Sequence, residues 1–281
     1  MSNLRILPLV QGSAEWLAYR RGRIGASEAA AVLGIDPWTT PLMLFNKKLS
    51  GEEFQGNEDT RRGHELEPFV RRMISEQYFR KYEPVVIENP KYNFAFASLD
   101  GWDADADIPL MEIKCPRKHS HVLPDHHLMQ LQWQMMVSEA KEAIYVSYDG
   151  QEIVELIVKR DDLLIEKLAE AGKAFYNRLG SFDPPDPIDG RDIVVLDDPE
   201  AVNEANEYER ACFEEKMATD KKEKLREKLI ERAAGRSIKA GDLKITKVIR
   251  KGNVDYSSIP ALQNLDLELY RKPPTTQWRL S

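Results

Sequence analysis

The sequence is poor in cysteine. Its 281 residues include only two cysteines, Cys115 and Cys212, and they form no CxxC pair. This excludes a disulfide framework and leaves an iron–sulfur cluster without its usual ligands. No P-loop is present, so a helicase motor would have to be a separate protein. We therefore expect a reduced, cytoplasmic protein.

Long apolar runs are also lacking. No stretch approaches the ~18–20 apolar residues of a membrane span. The opening residues, MSNLRILPLVQGS, are too interrupted for a signal peptide. We expect no membrane partner. Hydrophobic residues make up 42% of the chain and charged residues 31%, which is typical of a globular protein with ample core.

The chain also lacks an excess of positive charge, since its formal net charge is -7. This argues weakly against a nucleic-acid partner, since phosphate binding needs local positive charge. It does not exclude one. A nuclease that holds metal through clustered carboxylates can be acidic overall while its DNA track is basic.

Residues before Tyr82 have helical spacing. Ser13, Ser27 and Thr40 are placed as N-caps of three helices, and Pro41 suits the first position of the third helix. These three predicted helices make up the first part of the chain.

A fourth helix is predicted to begin near Gly63 or Pro68. After it the period becomes that of strands, in the segments YEPVVIENP, NFAFASLDG, PLMEIKCP, EAIYVSYDG and QEIVELIVKR. A buried helix lies between the third and fourth segments, and an amphipathic helix with Asp161 near its cap follows the fifth. This order predicts an α/β core with a mixed central sheet flanked by helices.

Four parts of the chain are distinguished by composition. The α/β core is predicted over residues 1–182, followed by a Pro- and Gly-rich linker over 183–198. Highly charged residues 199–235 predict a long exposed helix or a helical hairpin, the C-terminal helical arm. Residues 236–281 predict a small unit with a β-hairpin around Lys251-Gly252-Asn253.

The segment LMEIKCP carries an acid and a base on one face of an apolar strand, because Glu112 and Lys114 lie two residues apart. Asp100 ends the preceding strand, and a hairpin can bring it beside Glu112. Two carboxylates with the carbonyl of Ile113 could hold Mg²⁺, and Lys114 could orient an attacking water or offset transition-state charge. The alternative is an ion pair on a solvated face.

Two further side chains have suitable positions. Glu67 lies on the helix before the sheet, where it could support a metal site. It could equally be an exposed acid in the first turn, which interacts favourably with the helix dipole. Gln130 shares a face of an apolar helix with Gln134, and a buried glutamine needs a hydrogen-bond partner.

Basic residues precede the helix predicted to start at Ser27. Arg20, Arg21 and Arg23 together with backbone N–H groups at that start would form an anion site. The alternative is a basic loop with an ordinary serine cap.

Histidines are concentrated in KHSHVLPDHH, where Pro124 divides the set. A structural zinc site is one interpretation, but no paired cysteine accompanies the histidines. We prefer a loop that lines a DNA cleft.

In order and spacing, the motifs WLAYRRGRIGASEAAAVLG, GHELEP, ASLDG, LMEIKCP and HHLMQLQWQMMV resemble those of one nuclease family. It is the lambda exonuclease and YqaJ-type phage recombinase family, within the PD-(D/E)xK nuclease superfamily. The resemblance covers about residues 11–180 and implies a restriction-endonuclease-like core. Leu99 stands where some members have proline, a difference that affects packing more than chemistry.

The resemblance also implies residue roles. Asp100 and Glu112 would hold the metal, Lys114 would be the catalytic lysine, Glu67 the supporting acid and Gln130 the nearby amide. The terminal 5′-phosphate of DNA would be held by Arg20, Ser27 and Ser98.

The activity implied by the resemblance is Mg²⁺-dependent 5′→3′ digestion of one strand of linear double-stranded DNA, with Mn²⁺ as a possible substitute. It leaves a 3′ overhang for a single-strand annealing protein. A ring-shaped homotrimer and a bacterial or phage-encoded origin are expected on the same basis. Two alternatives stay open: an endonuclease on the same core, and a non-catalytic DNA-binding recombination scaffold.

Overall fold

A computed structural model describes residues 4–51, 56–118 and 121–248. It divides the chain into two units, one ending at Val195 and the other beginning at Leu196. Among the described residues, no helix is both long enough and apolar enough to cross a membrane.

A mixed sheet of seven strands forms the centre of the first unit. The strands are β1 (Arg5–Leu7), β2 (Ile24–Gly25), β3 (Glu83–Glu88), β4 (Ala95–Trp102), β5 (Leu110–Lys114), β6 (Glu142–Tyr148) and β7 (Ile153–Lys159). They run in the order β1-β3-β4-β5-β6-β7, and β2 pairs with β4. The β2–β4 and β5–β6 pairings are parallel and the other described pairings are antiparallel. The predicted mixed sheet is therefore confirmed.

Among the described residues of the first unit, six α-helices flank this sheet. They are α1 (Ala14–Arg21), α2 (Ala29–Val32), α3 (Pro41–Ser50), α4 (Glu58–Gln77), α5 (Asp125–Ser138) and α6 (Asp162–Ser181). The predicted caps Ser13, Thr40 and Asp161 are confirmed, because each side chain accepts a backbone N–H three residues further on.

The predicted cap at Ser27 is wrong. Ser27 lies inside a 3₁₀ turn, Ala26–Glu28, that precedes α2. The Glu28 carboxylate accepts the N–H of Gly25 at 2.9 Å, so Glu28 performs the capping. The Ser27 hydroxyl is instead 3.4 Å from the guanidinium of Arg20.

The predicted start of α4 is also wrong. The helix begins at Glu58 and runs through both Gly63 and Pro68. Its N-cap is Asn57, whose side-chain oxygen accepts the N–H of Thr60 at 2.9 Å. Pro68 lies inside the helix, where it has no N–H to donate to the carbonyl of His64.

Helix α5 crosses over between the parallel strands β5 and β6, and every residue from Leu131 to Ser138 is buried. The indole N–H of Trp133 donates to the carbonyl of Phe96 on β4 at 3.2 Å. On its other side, the Trp133 ring approaches Gly172 of α6 so closely that a Cβ there would lie 2.6 Å away. The sheet and α6 therefore hold α5 in one position.

The described part of the second unit contains a long helix and a small hairpin. Helix α7 (Pro199–Ala233) is one helix of 35 residues, capped by Asp198. Strands β8 (Ile238–Ala240) and β9 (Leu243–Ile245) pair antiparallel on either side of Gly241. This hairpin was not predicted, and the predicted turn at Lys251-Gly252-Asn253 lies outside the described residues.

Substituting Gly172 tests how tightly α5 is held. Gly172→Ala places a methyl group against the buried rings of Trp133 and Phe94, so we expect a loss of about 1–3 kcal/mol of unfolding free energy. Gly180→Ala is the matched control, since nothing lies within 4 Å of its new Cβ on the same helix. It should leave stability unchanged or raise it by up to about 1 kcal/mol. Urea unfolding of both variants makes the comparison, and equal midpoints would contradict the packing described.

Candidate active site

Strands β4 and β5 pair at one end only, through residues 101–102 and 110–111. Beyond these pairs a side chain continues the pairing, since Oδ2 of Asp100 accepts the N–H of Ile113 at 2.8 Å. In an extended strand, the carbonyl of a residue faces the same edge as its N–H. The Ile113 carbonyl therefore faces the Asp100 side of the strand, as the predicted ligand set requires.

Glu112 is a buried carboxylate held by three donors. Its Oε1 lies 2.6 Å from Lys114 Nζ and accepts from Gln130 Nε2 at 2.6 Å. Its Oε2 accepts from Gln134 Nε2 at 2.6 Å. Lys114 also donates to Gln130 Oε1 at 3.1 Å, which closes a ring of contacts. Because a carboxylate has about four lone-pair positions, one position on Glu112 is left for a further ligand.

Gln134 contacts the site but was not among the predicted site residues. The signal was present in the sequence, since Gln130 and Gln134 are one helical turn apart on an apolar helix. Within the part of the chain that the structure describes, Gln134 Oε1 is the one buried side-chain oxygen or nitrogen with no hydrogen-bond partner. A buried polar atom of this kind marks a place for a ligand or water.

Glu67 reaches the site from α4 through a neighbouring arginine. It pairs with Arg71 one helical turn later, and Arg71 donates to the backbone carbonyl of Asp100. Glu67 and Asp100 also line the same cavity. Arg71 was missed because an i,i+4 ion pair on a helix is common and does not by itself indicate a function.

The clustered charges change the pKa values of the site. Burial raises the pKa of Asp100 well above its usual range, and the nearby carboxylates of Glu112 and Glu67 raise it further. Burial alone would lower the pKa of Lys114, but Glu112 and Asp100 outweigh that effect and raise it. A cation bound nearby would therefore favour the ionised form of Asp100, and Lys114 stays protonated.

Arg20, Ser27 and Ser98 lie on the other side of the same cavity. Ser98 Oγ accepts the indole N–H of Trp16 at 2.9 Å, and the Arg20 guanidinium lies 5.1 Å from the Trp16 ring centroid. The cavity has a volume of about 300 Å³. Its lining also includes Glu67, Asp100, Glu112, Ile113, Lys114 and Gln130, so the structure brings all the predicted site residues together.

His121 lies in the predicted loop before α5, whereas the next two histidines belong to the helix. His126 and His127 lie in the first turn of α5, and His127 Nδ1 is 2.8 Å from the hydroxyl of Tyr145. Burial, with the charges of Lys114 and His126, lowers the pKa of His127 to about 3. Among the described residues, no three His, Cys, Asp or Glu side chains form a metal-binding group. His119 lies outside those residues.

Parts of the chain are similar to known proteins. Residues 15–141 match the family model of the YqaJ-like viral recombinase domain. Over 219 residues the chain is 26% identical to the uncharacterized protein YqaJ of Bacillus subtilis strain 168, which aligns 73% of this chain with 66% of that protein.

Two solved structures of LHK-Exo, an alkaline exonuclease from Laribacter hongkongensis, are also similar. The complex with dAMP has a TM-score of 0.53 and 27% identity, covering 61% of this chain and 94% of that chain. The second structure has a TM-score of 0.50 and 26% identity over the same shares. The mixed sheet with flanking helices is consistent with a restriction-endonuclease-like fold, and residues 15–141 are similar to the YqaJ-like viral recombinase domain.

Proposed function

We propose that the chain is a metal-dependent exonuclease that digests one strand of linear duplex DNA from its 5′ end and leaves a 3′ overhang. One observation carries the proposal: a single cavity contains both the acid–lysine cluster around Glu112 and the basic pocket around Arg20. The similarity of the fold to an alkaline exonuclease supports a nuclease.

The donor set suits Mg²⁺, with Mn²⁺ as a substitute. Asp100, Glu112 and the Ile113 carbonyl offer oxygen ligands, which hard cations prefer. The raised pKa of Asp100, caused first by burial and then by the neighbouring carboxylates, indicates repulsion that a cation would relieve. The unpaired oxygen of Gln134 beside Glu112 also fits a site that takes a further ligand. When bound, the ion would polarise the phosphodiester that is cut.

Lys114 would act as a charged donor. Because its pKa is raised by Glu112 and Asp100 despite burial, it keeps its proton at neutral pH and cannot serve as a general base. It can donate to the attacking water and offset negative charge that develops on the phosphate. Gln130 holds the ammonium in place for this role.

The choice of a strand end would come from the basic side of the cavity. Ser98 and Asp100 lie two residues apart on β4 and share a face, roughly 6.6 Å apart along the strand. That spacing is comparable to the spacing of neighbouring phosphates in one DNA strand. A terminal 5′-phosphate held by Arg20, Ser27 and Ser98 would therefore bring the next phosphodiester to Asp100 and Glu112.

Partners and assembly are proposed from the family resemblance. We expect double-stranded DNA ends as the substrate, a single-strand annealing protein as the partner that receives the 3′ overhang, and a ring-shaped homotrimer. Residues 1–182 would form the nuclease core, joined by the linker 183–198 to the helical arm 199–235 and the small unit 236–281. These last two parts would be available to a protein partner.

The function is tested by comparing linear and closed circular duplex DNA in the presence of Mg²⁺. We expect loss of linear duplex only, with a label at the 5′ end released as mononucleotide before a label at the 3′ end. Nicking of circles would indicate the endonuclease, and cleavage of neither substrate would leave the non-catalytic scaffold.

Replacing Lys114 tests the acid–lysine cluster. Lys114→Ala should lower the cleavage rate by roughly a hundredfold or more, because a charge that acts on the transition state is lost. DNA binding measured by fluorescence anisotropy should remain. Lys159→Ala, an exposed lysine on β7 of the same sheet, is the matched control. Unchanged turnover in the Lys114 variant would remove the assignment.

Replacing Asp100 tests the metal site. Because folding raises the pKa of Asp100 through burial and its acidic neighbours, the folded state keeps a proton that the unfolded state has released. Without metal, stability should therefore fall as the pH rises through the folded-state pKa. Asp100→Asn should weaken this fall and raise the melting temperature in EDTA.

The same melting experiment with Mg²⁺ gives the complementary result. The ion should stabilise the unmodified protein, and it should have a much smaller effect on Asp100→Asn. Asp105→Asn, an exposed acid of the loop between β4 and β5, is the control and should behave like the unmodified protein. Equal stabilisation of both the Asp100 and Asp105 variants by Mg²⁺ would place the ion elsewhere.

A further inference from the structure

A buried ion cluster lies directly behind the basic side of the cavity. Glu28 accepts from Arg20 Nε on one oxygen at 3.0 Å and from Lys48 Nζ on the other at 2.7 Å. The side chains of Glu28 and Lys48 are 7% and 4% exposed, while that of Arg20 is 22% exposed and lines the cavity. Arg20 is thus the member of the cluster that can touch a ligand.

Lys48 belongs to α3 and reaches into the turn that carries Arg20 and Glu28. Besides Glu28, it donates to the backbone carbonyls of Arg20 at 2.8 Å and Arg23 at 2.6 Å. All three of these acceptors lie within residues 20–28. The ammonium charge is therefore held behind Arg20 by a rigid set of contacts.

The cluster contains two positive charges and one negative charge. Burial alone would raise the pKa of Glu28, but Arg20 and Lys48 outweigh it and lower the pKa, so the carboxylate stays ionised. Without Lys48, the negative charge of Glu28 would cancel the positive charge of Arg20. With Lys48, one positive charge remains at the place where the cavity would receive a phosphate.

We propose that Lys48 sets the charge of the 5′-phosphate pocket: it offsets Glu28, so that Arg20 presents an uncompensated positive charge to the terminal phosphate of DNA. This inference rests on the proposed function, because it deepens the role of Arg20 in the same cavity. Lys48 does not line that cavity. It acts through Glu28 and Arg20 and is a positioning residue.

Stability alone gives a weak reason for this arrangement. Apolar residues of similar volume often replace a buried ion pair without loss of stability. An anion site, in contrast, gains from each positive charge held close to it in a poorly hydrated place. Pairing with Lys48 also explains how the Glu28 carboxylate can lie next to an anion pocket, because its negative charge would otherwise repel the ligand.

The test measures binding of duplex ends without divalent metal, so that cleavage plays no part. Affinities for 5′-phosphorylated and 5′-hydroxyl duplexes are compared, which separates a terminal phosphate from the internal phosphates that both duplexes share. Lys48→Gln should reduce the preference for the phosphorylated end by about tenfold, because one nearby positive charge is lost. The 5′-hydroxyl duplex should bind as before.

Two further variants separate charge from folding. Glu28→Gln removes the negative charge but keeps one oxygen, which can still accept from Lys48 and from the N–H of Gly25. Arg20 then loses its acidic partner, so the phosphorylated end should bind as tightly as before or more tightly. Lys167→Gln removes an exposed charge of α6 and should leave the preference unchanged. If Lys48→Gln does not fold, Glu28→Gln carries the test alone.

The outcomes distinguish this inference from the proposed function. Arg20→Ala with an unchanged preference would overturn both the phosphate pocket and the role of Lys48. Loss of preference in Arg20→Ala but not in Lys48→Gln would overturn the role of Lys48 alone. A weakening in Glu28→Gln equal to that in Lys48→Gln would also overturn it, since the cluster would then act only through geometry.

Discussion

The burial of one carboxylate, Glu112, is the constraint on which the site depends. A buried charge must be paired and hydrogen-bonded, or it costs several kcal/mol. Lys114 from the same strand and two amides from α5 supply the partners. Helix α5 must therefore lie against the sheet at one depth and one rotation. Its close contact with α6 at Gly172 maintains that position.

The two sides of the cavity have opposite electrostatic character. Around Asp100 the carboxylates outnumber the lysine, which favours a cation, while around Arg20 the positive charges outnumber Glu28, which favours an anion. Strand β4 contributes to both sides of the cavity, because Ser98 lies on the Arg20 side and Asp100 on the acidic side. Both residues are on the same face of the strand. This local separation of charge is how a chain of net charge -7 can present a site for DNA.

Local patterns predicted the parts of the fold that one segment can specify. The alternating strands, three helix caps and the shared face of Glu112 and Lys114 all depend on residues a few positions apart. Strands β1 and β2 were missed because they have three and two residues, and strands so short carry no periodic signal. The start of α4 was placed too late because Gly63 and Pro68 were given more weight than the cap at Asn57.

Contacts between distant segments could not be predicted in the same way. In the sequence, Lys48 is one of two adjacent lysines in the last turn of α3, and only the packing of α3 against residues 20–28 shows its charge to be buried. Arg71 is a similar case on α4. The sequence did contain a signal for Gln134, which is one helical turn from Gln130. That spacing could not show which of the two would contact Glu112, and both do.

We propose that Asp100 and Glu112 hold one cation next to a pocket for a 5′-phosphate. Crystals of the protein with a short 5′-phosphorylated duplex and Mn²⁺, measured at a wavelength where manganese scatters anomalously, test it most directly. We expect an anomalous peak in contact with both carboxylates, and the terminal phosphate beside Arg20. A manganese peak away from Asp100 and Glu112, with a DNA end bound in the cavity, would contradict it.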